Sequence, residues 1–401
     1  MILMEKKLEF HIITMSTYGV GLSGGDRIWI ELAKRIAEKH PVHVYLWEEG
    51  LTIAKREGLA GVNYVLWSAK TSAALGFFVN YFVRIFIGLV KVLTLKLENN
   101  SQTIVHSASE FWQDSFPALI LKLKYPKITW IAAWYQTAPN PLIGYREQGT
   151  RDNKYFVSAF LYWLAQLPVK PLISHFADFV LVNNDEEKKQ FPLLNRKERV
   201  LVVLGAVPLT DIKKYLIKHS KSNIQRQFDA VFQGRFHPQK GVVELIEIWK
   251  KVVDKKPDSI LAMIGDGPLM TKVKIQITKY KLQKNVKLFG YVFDGQKKYS
   301  IFQRSKIVVH PAFYDSGGMA AAEAMAFGIP CVGFNLASYK SYYPKGMLKV
   351  SKGDLNLFAK KILYLLTNSR ARNNLGMEAR KVIEAGWTWN VRVDTFLNKI
   401  Q

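Results

Sequence analysis

The chain has 401 residues, enough for two or three domains with proper cores, and its 49% apolar and 22% charged content excludes a disordered or fibrous architecture. A single cysteine, Cys331, excludes an internal disulfide and a thiol-based metal centre and points to a reducing compartment. With 57 Lys and Arg against 32 Asp and Glu the net charge is +25, a field that favours nucleic acid, anionic lipid headgroups or phosphorylated small molecules as partners. Residues 1–200 carry 24 basic and 18 acidic side chains and the remainder 33 and 14, so most of the excess lies in the second half.

The opening stretch MILMEKKLEFHIITM has charges where a signal peptide needs its apolar core, and no small-residue cleavage pattern follows. A cytoplasmic protein is expected. Short Val- and Ile-rich runs then recur at Phe10–Thr14, Val42–Trp47, Ile104–His106, Ile128–Ala133, Phe179–Asn183, Val200–Leu204, Ala230–Phe232, Ile260–Ile264, Val286–Phe289, Ile307–His310 and Cys331–Phe334. Their lengths suit buried strands, and the longer helix-like stretches between them predict an α/β fold with parallel sheets. Two doubly wound domains accommodate these runs better than one very wide sheet. The boundary falls near Gly205–Phe228, which gives an N-terminal Rossmann-like domain over 1–210 and a C-terminal one over 211–385. Ligands of open α/β sheets bind at the carboxyl ends of the strands, so two such domains facing each other would enclose substrates in a cleft. The alternative is two domains that merely share a chain.

Five segments stand out along this frame. Thr17–Arg27, TYGVGLSGGDR, joins the first strand to a helix expected over Ile28–Lys39. It is not a GxGxxG fingerprint, and Gly24 and Gly25 would shape either the floor of a cleft or a plain tight turn. Gly76–Leu93, GFFVNYFVRIFIGLVKVL, puts Asn80, Arg84 and Lys91 on one narrow stripe of a helix at about 100° per residue. Two cations argue against a membrane span; an interfacial helix with Arg84 and Lys91 reaching headgroups and a buried core helix both remain open. Tyr155–Leu167 has similar aromatic weight. Phe232–Gly241, FQGRFHPQKG, places Arg235 and Lys240 around a turn at a strand end, where they would neutralise a leaving diphosphate or serve as solvated loop cations.

The fifth segment, Ile307–Phe334, reads IVVHPAFYDSGGMAAAEAMAFGIPCVGF. A loop carrying Asp315, Ser316, Gly317 and Gly318 precedes a helix expected over Met319–Phe327, with Ser316 as its cap. The glycines let an anion approach backbone N–H groups, and Glu323, about one turn further on, is placed to accept from ribose hydroxyls. The same residues would also make an ordinary helix start with Glu323 as a surface acid.

Taken together, GR-x4-KG, Gly265-Asp266-Gly267-Pro268, Val286-Lys287-Leu288-Phe289-Gly290 and the acid-x7-Glu pair followed by EAMAFGIPCV resemble the retaining GT-B glycosyltransferases of family 4. The order and spacing hold over roughly residues 229–334. The first half is similar more loosely, and GWTWNVRV resembles the family's closing aromatic motif, whose helix, here 386–401, crosses back onto the first domain. The resemblance implies transfer of a sugar from a nucleotide diphosphate sugar, with retention and without a metal or other cofactor, to a glycan or lipid-linked acceptor held by the first domain. Arg235 and Lys240 would hold and stabilise the diphosphate, Asp315 would contact the donor sugar, Gly317, Gly318 and Met319 would meet the distal phosphate and sugar, Glu323 the ribose, and the loop with Tyr291 the base.

Two departures from the family stand out. Asp315 is one methylene shorter than the usual glutamate, and Trp134 or Tyr135 replaces a histidine beside the reacting carbon, with His106 as a buried histidine or a substitute. The expected protein is cytoplasmic and peripheral on the inner face of the cell membrane, with an anionic surface as partner. Its basic residues are scattered and form no binding module, so no nucleic acid is expected. A non-catalytic GT-B partner subunit is the alternative.

Overall fold

The computed structural model describes residues 7–68, 76–142, 153–203, 205–219 and 225–400. The chain divides into two compact units, the first holding the described residues up to 141, 158–205 and 392–400, the second 206–391 with the described residues between 142 and 157. The first unit alternates β1 (Glu9–Thr14), α1 (Gly24–Ile36), β2 (Val42–Leu46), α2 (Glu48–Arg56), β3 (Asn63–Leu66), α3 (Gly76–Thr94), β4 (Thr103–Ser107), α4 (Trp112–Lys124), β5 (Thr129–Trp134), α5 (Asn153–Phe176), β6 (Phe179–Val182), α6 (Pro192–Arg196) and β7 (Val200–Val202). Its strands form one parallel sheet in the order β3-β2-β1-β4-β5-β6-β7.

The second unit follows with α7 (Leu209–Lys218), β8 (Phe228–Gln233), α8 (Val242–Val253), β9 (Leu261–Ile264), α9 (Met270–Lys279), β10 (Val286–Leu288), α10 (Gln296–Gln303), β11 (Ser305–His310), α11 (Met319–Met325), β12 (Cys331–Phe334), α12 (Tyr339–Tyr342), β13 (Met347–Val350), α13 (Leu355–Thr367), α14 (Ser369–Gly386) and α15 (Trp389–Ile400), whose last residues group with the first unit. Its parallel sheet runs β10-β9-β8-β11-β12-β13. Strand order therefore reverses between β1 and β4 in the first unit and between β8 and β11 in the second, the positions where such sheets take ligands.

The apolar runs become strands because helices cover both faces of the sheets. In β5 every residue from Trp130 to Trp134 is buried, which leaves no solvent face to alternate with. The edge strands β3 and β13 are absent from the apolar runs, and β3, NYVL, is only partly buried. β7 ends at Val202, and Leu204, part of the run at Val200–Leu204, lies outside the described residues. Helix α1 starts at Gly24 instead of Ile28, because Ser23 and Asp26 form a capping box that nucleates the helix four residues earlier.

Helix α3 is amphipathic in the reverse sense. Its polar stripe faces the core and its apolar face looks outward: Asn80 and Arg84 are buried, whereas Phe77, Phe78, Phe82 and Phe86 are exposed, Phe86 to 68%. This corrects the expectation that Arg84 reaches lipid headgroups. The Arg84 side chain is 0% exposed and donates to the carbonyls of Met15 (2.9 Å) and Thr17 (2.7 Å) and to Glu49 Oε1 (2.8 Å). Its guanidinium carbon also lies 3.7 Å from the Tyr18 ring centroid. Met15 and Ser16 in turn donate their N–H groups to Asp114 of α4, so the chain leaving β1 is held from two helices. Lys91 of the same stripe is exposed.

Replacing Arg84 by Met would leave two carbonyls and Glu49 without their donor, a loss of about 3 kcal/mol. Urea unfolding of the variant should show it; a change below ~1 kcal/mol would mean that α3 is held by its apolar contacts alone.

Candidate active site

The loops after β8 and β11 meet at the switch point of the second sheet. Phe313 and Tyr314 donate their N–H groups to the Gln239 carbonyl. Gly241 has φ +64° and a Cβ there would stand 2.0 Å from the Pro311 carbonyl oxygen, so only glycine lets the Lys240 turn press against the chain leaving β11. The turn presents Lys240, whose Nζ lies 2.5 Å from Asp315 Oδ2. His310, the last residue of β11, brings Nε2 to 3.0 Å from the same oxygen. The other oxygen, Oδ1, accepts the N–H groups of Gly317 (3.2 Å) and Gly318 (3.1 Å).

The Asp315 side chain is 6% exposed. Burial opposes its charge, but the Lys240 ammonium and the His310 contact outweigh burial and hold the carboxyl well below the usual carboxylate range. His237, in the Lys240 turn, is pushed down to about 4 by burial and by the neighbouring Arg235 and Lys240, so it adds no charge at neutral pH. Arg235 is exposed and makes no ion pair among the described residues.

Helix α11 is shorter than expected, ending at Met325, and its cap is Gly318 in the left-handed region at φ +64°, with no Ser316 side-chain cap. The two glycines adapt the loop to Asp315 instead of leaving their N–H groups open. Glu323 is no surface acid: it is 4% exposed and takes Lys298 Nζ at 2.6 Å and Gln233 Nε2 at 3.1 Å. Lys298, itself 1% exposed, also binds Asp294. Tyr291 is exposed beside Phe293, their ring centroids 4.9 Å apart, and Met319 opens α11 half-buried.

Sequence reasoning missed His310, Lys298 and a tyrosine clamp behind the loop. Tyr343 Oη donates to the Gly318 carbonyl at 2.6 Å, and a Cβ on Gly317 would stand 2.5 Å from Tyr342 Cζ. Burial pushes the Tyr339 and Tyr343 hydroxyls well up, so both stay neutral. Trp387 of the GWTW motif packs on Tyr342 and Tyr343, with centroids 5.1 and 5.5 Å away. The run SYKSYY was the available signal, yet it has no periodicity that points to a site.

In the first unit, Gly24 and Gly25 lie in the first turn of α1, not in a loop before it. A Cβ on Gly25 would stand 3.4 Å from the Tyr135 ring, an ordinary contact distance, so the ring lies directly over the first turn of α1. Trp134 is a core residue bonded to Thr137 Oγ1 at 2.9 Å, which leaves Tyr135, just beyond β5, as the side chain near α1. His106 is buried against the Ile131 carbonyl, and burial lowers it to about 4.

Residues 214–382 match the family model of glycosyl transferases group 1. The chain is 26% identical over 196 residues to the UDP-Gal:alpha-D-GlcNAc-diphosphoundecaprenol alpha-1,3-galactosyltransferase of Escherichia coli, covering 47% of this chain and 48% of that one. It is 25% identical over 241 residues to the capsular polysaccharide biosynthesis glycosyltransferase CapM of Staphylococcus aureus, covering 57% and 62%. The chain thus spans about half the length of the curated relatives it matches. Among solved structures, HepE of Anabaena in complex with UDP and glucose superposes with a TM-score of 0.70 at 14% identity, over 98% of this chain and 99% of that one. Sucrose-phosphate synthase of Thermosynechococcus elongatus gives 0.72 at 15% identity, over 98% of each. Two parallel-sheet α/β units in these strand orders are the GT-B fold, and the second of them carries the group 1 glycosyltransferase pattern.

Proposed function

We propose that this chain is a retaining, metal-independent glycosyltransferase of family 4 that moves a sugar from a nucleotide diphosphate sugar to a glycan or lipid-linked acceptor at the cytoplasmic face of a membrane. The observation that carries the reading is the convergence of Lys240 and the N–H groups of Gly317 and Gly318 at the β8/β11 switch point, donors matched to a diphosphate, with Arg235 exposed in the same loop after β8. The family match over residues 214–382 supports it.

In this reading the bond from the anomeric carbon to the phosphate oxygen breaks as negative charge develops on the leaving diphosphate. Arg235 and Lys240 act where that charge appears. The acceptor hydroxyl attacks on the face the diphosphate leaves, forming the new C–O bond, and its proton passes to the departing phosphate oxygen. Two cations meet the phosphate charge, so the chemistry needs no metal and no side-chain nucleophile. Glu323, fixed by Lys298, holds the ribose, and Tyr291 meets the base.

The first unit takes the acceptor, and its outward apolar faces suit a bilayer. On α3 the exposed Phe78, Phe82 and Phe86 follow one another at helical spacing, and on α5 Phe160, Leu161 and Leu164 are exposed. Trp112 of α4 ties the two helices together, donating Nε1 to the Ala165 carbonyl at 2.6 Å and packing on Phe82. Sinking these side chains into the interface recovers the apolar burial that water denies them. The Escherichia coli relative, by name, acts on a diphosphoundecaprenol acceptor, and CapM belongs to capsular polysaccharide synthesis, which supports a lipid-linked or cell-surface acceptor here.

Nucleoside diphosphate release from a panel of UDP- and GDP-sugars, with a crude lipid-linked acceptor extract, tests the activity. Arg235→Ala should lower turnover by about 10²- to 10³-fold while unfolding stability stays within ~0.5 kcal/mol; equal turnover would remove Arg235 from the diphosphate. A chelator should leave release unchanged, and loss of activity would overturn metal independence. No release from any donor by folded protein would favour the non-catalytic partner subunit. Phe78, Phe82 and Phe86 changed together to Ser should abolish sedimentation with anionic vesicles; a parent protein that does not sediment would remove the membrane from this reading.

A further inference from the structure

One carboxylate occupies the lysine and both glycine N–H groups that the reading above assigns to the donor's phosphates. Asp315 Oδ2 takes Lys240 Nζ and His310 Nε2, and Oδ1 takes the N–H groups of Gly317 and Gly318. Carboxylate and phosphate oxygens are alike in this respect: both are anionic and accept without donating, and both choose ammonium and backbone N–H partners. A largely buried carboxylate and a diphosphate also repel each other at such distances, so the two do not share the seat at low cost. The loop does not hold Asp315 there by accident. Ser338 Oγ donates to the Asp315 carbonyl at 2.8 Å, and Tyr343 fixes the carbonyls of Gly317 and Gly318 from behind.

We infer that Asp315 is a resident anion of the donor's phosphate seat, which the diphosphate displaces on entry and which returns to Lys240 when the diphosphate leaves. The inference rests on the glycosyltransferase reading. Its consequence is an internal competitor that keeps free nucleoside diphosphate weakly bound, so the product of transfer is expelled and Lys240 does not collect stray phosphate. The shorter side chain is what makes this work, because Asp315 turns back onto its own loop and onto Lys240.

Calorimetric titration with inorganic pyrophosphate, UDP and GDP tests it, using the parent, Asp315→Asn and Asp315→Ser, each checked by thermal unfolding. The neutral variants should bind the tightest-binding probe at least tenfold more tightly than the parent, with stronger inhibition of transfer by the nucleoside diphosphate. Equal or weaker binding in the folded variants would overturn the exchange while leaving the transferase reading intact. If neither parent nor variants bind any of the three, the transferase reading falls and the exchange with it.

Discussion

Much of the second unit is organised around a single negative charge. Asp315 joins the Lys240 turn, the end of β11 and the two glycines before α11, and the geometry on every side serves that junction. Gly241 lets the turn approach Pro311, Gly317 makes room for Tyr342, and Trp387 backs Tyr342 and Tyr343, the second of which holds the glycine carbonyls. A carboxylate with 6% exposure is stable there only because cationic and N–H donors outweigh the cost of burying it. Ammonium and backbone N–H donors of this kind are also the partners that phosphate oxygens take.

The second buried ion cluster, Lys298 between Asp294 and Glu323, works differently. It fixes the carboxylate of Glu323 one turn into a seven-residue helix whose own dipole is short. Rigidity at that position comes from side-chain pairing more than from the helix. In the first unit Arg84 performs the corresponding service, pinning the chain after β1 from a helix whose outer face is apolar. Surface and switch point are thus joined through one guanidinium.

The architecture was readable because its signal is local. Strands covered on both faces are continuous apolar runs, and each is separated from the next by a helix-length stretch, so the two parallel sheets followed from the pattern alone. The edge strands β3 and β13 escaped because the partly buried NYVL and MLKV lack that continuity. Arg235, Lys240, Asp315 and Glu323 were singled out by motif, but the pairing of Lys240 with Asp315 and the partners of Glu323 were not. Lys298 stands 25 positions from Glu323, Gln233 stands 90 from it, and Lys240 stands 75 from Asp315, separations at which no periodicity operates.

What the sequence determined by itself was the choice of elements, the two doubly wound sheets and the positions of the Gly-rich loops, since chain stiffness, apolar periodicity and turn chemistry act between near neighbours. Tertiary structure decided where side chains point. It turned the polar stripe of α3 inward, made Glu323 a buried ion partner and aimed Asp315 at Lys240 and the N–H groups of Gly317 and Gly318. The reason is that a charge selects its orientation by the dielectric and the partners around it, and those are assembled from distant parts of the chain only when the sheet closes.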